Sequence, residues 1–162
     1  NKFTEKNIFI NKKALSKTSK VSYLYSDKPG SGLSSLTKRD LKEQNISFDL
    51  EEKVEVIRFD EYWNYLNKKI DFVKIDVEGH ELDVLKGFGD LIYKTRVIQF
   101  EFGGTDVDTR TFFKDFWIFF KEKNFSIFRM SPLGLIRIEK YNVREECFVY
   151  SNFIALNRSL EK

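Results

Sequence analysis

Residues 70–77 (IDFVKIDV) and 80–88 (HELDVLKGF), joined by Glu78-Gly79, constrain the fold of this chain more than any other stretch. The first run is short, apolar and rich in β-branched side chains, the pattern of a buried strand. The second places Leu82, Leu85 and Phe88 on one helical face, with Gly87 or Gly89 as a helix stop. Residues 96–102 (RVIQFEF) predict a second buried strand, 103–109 a loop, and 110–123 a helix dense in aromatics. Strand, helix, strand, helix in this order predicts an α/β fold with a parallel sheet and crossover helices.

The flanking segments are shorter. Residues 7–15 (NIFINKKAL) start as a strand, and 21–25 (VSYLY) and 53–59 (KVEVIRF) alternate as strands. Residues 27–36 (DKPGSGLSSL) read as a loop, and 38–45 as a short surface helix or an extension of that loop. Asp60 is expected to cap a helix running through Leu66. Two further strands, 126–130 and 135–139, flank the turn 131–134, and a last strand is predicted over 147–156. No internal repeat or linker interrupts the chain, so residues 1–162 read as one domain. With 41% hydrophobic residues and 17 phenylalanines it has ample material for a core.

Composition excludes several functions. The net charge of +3 is small and the basic residues are spread out, with Lys12, Lys13, Lys17 and Lys20 the densest group, which argues against nucleic acid as a partner. The single cysteine, Cys147, cannot form an internal disulfide and favours a reducing, cytoplasmic setting. No Cys/His cluster has zinc spacing, no metal site is assigned, and the single histidine, His80, excludes mechanisms that need two. No apolar run reaches the ~20 residues that span a bilayer, so no membrane is expected as a partner.

In an open parallel sheet, ligands sit beyond the carboxyl ends of the strands. Two such ends are loaded with acid here: residues 76–81 (DVEGHE), and Glu101-Phe102-Gly103-Gly104 followed by Asp106 and Asp108. These carboxylates can bind a divalent cation, accept hydrogen bonds from a ribose or an ammonium, or take a proton from a hydroxyl; His80 is a further candidate base. They also have a purely structural reading, with Glu78 and Glu81 facing the positive end of the following helix. Gly30, Ser31, Gly32, Ser34 and Ser35 do not fit a phosphate-binding glycine fingerprint. Arg110, at the predicted start of the aromatic helix, can pair with Asp106 or Asp108 or face a substrate anion.

The string Phe72-Val73-Lys74-Ile75-Asp76-Val77-Glu78-Gly79-His80-Glu81, continuing through Leu82-Asp83-Val84-Leu85-Lys86-Gly87, closely resembles the central motif of FkbM-type methyltransferases. Residues 11–16 (NKKALS), 32–36 (GLSSL), 56–62 (VIRFDEY), 99–104 (QFEFGG), 108–115 (DTRTFFKD) and 150–156 (YSNFIAL) resemble family segments in the same order. The resemblance implies a class I, Rossmann-like methyltransferase fold, a mostly parallel sheet with helices on both faces. It implies S-adenosylmethionine as the methyl donor and a hydroxyl of a sugar or secondary metabolite as the acceptor. It places Ala14, Leu15, Ser16 and Asp76 near the cofactor, makes Asp76, Glu78 and His80 the catalytic candidates, and puts Ser34, Ser35, Glu101 and Arg110 on the substrate side.

The family's glycine-rich first loop is not in this sequence: no glycine precedes Gly30. The resemblance therefore implies an amino-terminally truncated domain lacking its first two strands, inactive alone, with residues 72–77 as an apolar sheet edge open to self-association. Two rival functions stand beside a methyltransferase fragment. One is a non-catalytic FkbM-like binding module. The other is a divalent-metal-dependent hydrolase with Asp76, Glu78 and Glu101 as ligands.

Overall fold

The fold was analysed in a computed structural model that describes residues 8–63 and 68–160. Its elements in chain order are β1 (Ala14–Leu15), β2 (Lys20–Ser26), β3 (Leu50–Ile57), α1 (Phe59–Trp63), β4 (Ile70–Ile75), α2 (Glu81–Lys86), β5 (Thr95–Phe102), α3 (Gly104–Thr109), α4 (Phe113–Glu122), β6 (Phe125–Ser131), β7 (Gly134–Ile138) and β8 (Ser151–Asn157). The strands form two mixed sheets. One has three strands in the order β1-β3-β2, the other five in the order β4-β5-β8-β6-β7.

This architecture overturns the expectation of a mostly parallel, Rossmann-like α/β sheet with helices on both faces. The fold is mostly β. Among the described residues only β1–β3 and β4–β5 are parallel pairs; β2–β3, β5–β8, β8–β6 and β6–β7 are antiparallel. The strand–helix alternation through β4, α2 and β5 does deliver one parallel crossover. Beyond it, β8 inserts between β5 and β6, and runs against both. The turn Pro132-Leu133 is too short for a crossover, so it fixes β6 and β7 as an antiparallel hairpin closed at Ser131–Gly134.

The second reason is sidedness. Strand β5 is not buried on both faces. Ile98, Phe100 and Phe102 are fully buried, while Val97, Gln99 and Glu101 between them are only half-buried. Their neighbours on that second face follow suit, with Phe72 on β4 55% exposed. The covered face receives α4, whose Phe113, Phe116 and Phe120 recur at helical spacing. Phe100 stacks on Phe116 at 4.9 Å and on Phe153 of β8 at 5.4 Å. Helix α2 adds Leu82, Val84 and Leu85 to the same core.

Several boundaries also differ. Residues 8–13 form no strand, so only Ala14–Leu15 remains of the predicted first strand, whose start at Asn7 lies outside the described residues. Asp60 lies inside α1 and does not cap it, and the predicted continuation over 64–66 is outside the described residues. Residues 38–45 hold only a 3₁₀ turn, Lys42–Gln44. Residues 103–109 are not a loop but contain α3, held because the Asp106 carboxylate accepts the Gly103 N–H at 2.9 Å. Arg110 ends α3 in the left-handed region, φ 55°, so α4 starts only at Phe113. The first amides of α4 are satisfied by Glu146, which accepts from Phe113 and Lys114. Residues 147–150 precede β8, which begins at Ser151.

The end of β1 and the start of α1 pack against Gly87, the end of α2. Its amide closes the helix onto Asp83 and Val84, and its carbonyl accepts from Asp60. A Cβ there would sit 2.2 Å from the Ser16 carbonyl oxygen. Gly87→Ala should therefore lower stability by about 1–3 kcal/mol in urea unfolding, because backbone must move to admit the methyl group. Gly32→Ala, with nothing within 4 Å of its Cβ, should stay within ~0.5 kcal/mol of the parent.

Candidate active site

The site is built at the carboxyl ends of the parallel neighbours β4 and β5. After Ile75 the chain turns through Glu78 and Gly79, both in the left-handed region at φ 56° and 95°. Gly79 also approaches the Thr105 carbonyl so closely that a Cβ would lie 2.7 Å from it. The turn is held from within. Glu81 is 1% exposed, and its carboxylate accepts the Val77 N–H at 2.9 Å and the Gly79 N–H at 3.0 Å. Glu81 thus clamps the turn, a role different from the helix-end capping expected of it. Ser35 ties the turn to the preceding loop, its hydroxyl donating to the Glu78 carbonyl at 2.8 Å.

This geometry brings together Asp76, Glu78 and Glu101, with one carboxylate oxygen of each within 4.8 Å of the others. Lys74 pairs with Asp76 at 2.7 Å. The Arg39 guanidinium, 7% exposed, lies 3.7 Å from Glu78 Oε2 and donates to Asp108 at 2.8 Å. Glu78 Oε2 is buried and has no hydrogen-bond partner. Burial pushes the Glu78 carboxyl above the usual range, against the pull of Arg39. Burial, and then the charges of Asp76, Glu78 and Glu81, push Glu101 up to about 7. Asp106 behind them is fully buried with Oδ1 unpartnered. Burial, opposed by the Gly103 amide and reinforced by Glu81 and Glu101, pushes it up to about 8.

Such a cluster can do three things. It can attract a cation, accept the proton of a hydroxyl near neutral pH, or supply three oxygens to a divalent ion.

The predicted site residues divide into groups. Asp76, Glu78 and Glu101 converge, with Ser35 behind them. Ser34 turns away and donates to the Ser31 carbonyl. His80 faces the other side of the turn, where its Nε2 lies 2.9 Å from the Thr37 hydroxyl and its Nδ1 3.9 Å from Asp83. The His80 ring and Lys17 hold the Asp83 carboxyl down at about 2 despite its partial burial. His80 and Arg110 line a separate cavity of about 520 Å³. Ala14 and Leu15 lie in β1, paired with Val56 and Ile57, and Ser16 is buried with its amide on the Ile57 carbonyl. No hydrogen bond or ion pair among the described residues joins them to Asp76.

Arg39 and Thr37 were not expected in the site. Arg39 sits between charged neighbours in a segment without periodicity. Asp106 was named among the acids after Glu101, but its hold on the Gly103 amide was not read, because residues 103–109 resemble a plain loop. The one usable sign was the density of carboxylates at both strand ends, which calls for a buried cation.

A profile for the methyltransferase FkbM domain matches residues 4–127. The chain belongs to the FkbM methyltransferase domain family. No curated protein and no solved structure matches it. Among the described residues no helix is long and apolar enough to cross a membrane.

Two outcomes check the site's construction. In this FkbM domain, Glu81→Ala leaves one buried and one partly buried amide unpaired and should cost about 2–4 kcal/mol in urea unfolding, whereas Glu81→Gln, which keeps one acceptor oxygen, should cost about half as much. Asp106 carries a raised carboxyl, so its stabilising protonated form is complete below the unfolded value. It is lost as pH rises from about 4 through about 8. Asp106→Asn should therefore flatten the decline in melting temperature across that window; a slope equal to the parent's would show that Asp106 is ionised in the fold.

Proposed function

We propose that the chain serves S-adenosylmethionine-dependent methyl transfer to a hydroxyl of a small molecule or glycan. Family membership supports methyl transfer, and one observation carries the finer reading: three carboxylates converge beyond β4 and β5, with Glu101 at about 7 and a buried Glu78 oxygen that has no hydrogen-bond partner. A carboxylate cluster only partly offset by Lys74 and Arg39 fits a donor that bears a sulfonium and an ammonium.

When bound, S-adenosylmethionine supplies an electrophilic methyl group on a leaving thioether. Asp76 and Glu78 would hold the cationic donor. Glu101, half-buried on the open face of β5, would accept the proton of the acceptor hydroxyl, its raised value matching it to a base working near pH 7. Ser35 and Glu81 keep the carboxylates in place by fixing the turn. His80 is turned away from this cluster and is assigned no proton transfer here. The spacing of the three carboxylates also favours a second reading, a divalent-cation site. Thermal stabilisation by Mg²⁺ or Mn²⁺ without the nucleoside would support that reading.

The charge argument makes a direct test. Calorimetry at pH 8 should give tighter binding of S-adenosylmethionine than of the neutral thioether S-adenosylhomocysteine. The preference should shrink below about pH 7 as Glu101 takes up its proton. Glu101→Gln should remove that pH dependence. Equal affinity for both compounds at pH 8, or no binding of either, would overturn the proposal.

A further inference from the structure

The second cavity carries chemistry that methyl transfer does not use. Four separate segments wall it: Lys17 after β1, Thr37 in the loop after β2, the α2 region with His80, Asp83 and Lys86, and the stretch from α3 into α4 with Asp108, Arg110, Thr111 and Asp115. Every carboxylate in this wall is engaged. Asp83 pairs with Lys17 at 3.1 Å, Asp108 accepts from Arg39 at 2.8 Å, and Asp115 accepts the Phe112 N–H at 2.9 Å. Two cationic side chains on the wall, Lys86 and Arg110, make no hydrogen bond or ion pair among the described residues.

Arg110 is also held at an unusual place. It occupies the left-handed position that closes α3, φ 55°, where glycine is the ordinary choice. A long, exposed cationic side chain is thereby placed at the cavity wall on a backbone that does not favour it. Beside it the His80 ring is set between the Thr37 hydroxyl and Asp83. The cavity thus presents an ammonium and a guanidinium that have no direct side-chain partner, the two groups that most often recognise an oxyanion.

We propose that this cavity binds an oxyanion, a phosphoryl or carboxylate group carried by a small molecule, through Arg110 and Lys86. The site lies across the turn over residues 76–80 from the carboxylate cluster and does not depend on methyl donor.

The test is calorimetric titration of the chain, without methyl donor and at constant ionic strength, with inorganic phosphate, glucose 6-phosphate, glucuronate and uncharged glucose. At least one of the three anions should bind saturably and glucose should not. Arg110→Gly, which keeps the left-handed backbone comfortable, and Lys86→Gln should each weaken that binding about fivefold to tenfold. Lys53→Gln, on an exposed part of β3, should leave it unchanged. Binding of glucose 6-phosphate without glucuronate assigns the phosphoryl group, and the reverse assigns the carboxylate. Absence of saturable binding by any anion, or binding indifferent to both cavity substitutions, would overturn the proposal.

Discussion

The two hydrogen bonds from the Val77 and Gly79 amides to the buried Glu81 carboxylate organise everything functional in this domain. A turn with two consecutive left-handed residues, one of them Glu78, is strained by itself. Glu81 offsets that strain by satisfying amides that no strand or helix reaches, and it does so from the first turn of α2, whose apolar face is anchored in the core. Strand β4, the turn and α2 are therefore one rigid unit. Glu78 and His80, on either side of Gly79, are aimed to opposite sides by the same geometry.

The sheet explains why the acids collect where they do. With one face closed by α2 and α4 and the other left half-open, the odd-numbered residues of β5 need not be apolar. Glu101 occupies such a position, next to the end of β4. A carboxylate there is wet enough to ionise and crowded enough by Asp76, Glu78 and Glu81 to resist ionising, which is the balance that puts it at about 7.

The elements with strong local signals were legible. The 70–88 stretch shows its strand, turn and helix through apolar spacing alone, and the hairpin at Pro132-Leu133 shows itself through turn chemistry. Strand order was not legible, because nothing in the alternation of strands and helices says that β8, last in the chain, enters between β5 and β6. Burial on one face was readable in principle: RVIQFEF alternates in polarity, but its density of large apolar residues resembles a doubly buried strand. In the site, Asp76, Glu78 and Glu101 could be named because they end strands. Arg39 could not, since its partners Asp108 and Glu78 lie far along the chain and its own neighbours are exposed.

Arg39 also links the two candidate sites. Its buried guanidinium touches Asp108 on the wall of the cavity and lies against Glu78 in the carboxylate cluster. Among the described residues it is the one buried cation facing that acid, and its charge is divided between the two sides. A cation settling among Asp76, Glu78 and Glu101 would relieve Arg39 of part of its role toward Glu78. An anion in the cavity would compete with Asp108 for the same guanidinium. Occupancy of either side thus changes the electrostatic demand on the other through a single side chain, whose positive field favours negative charge on both sides.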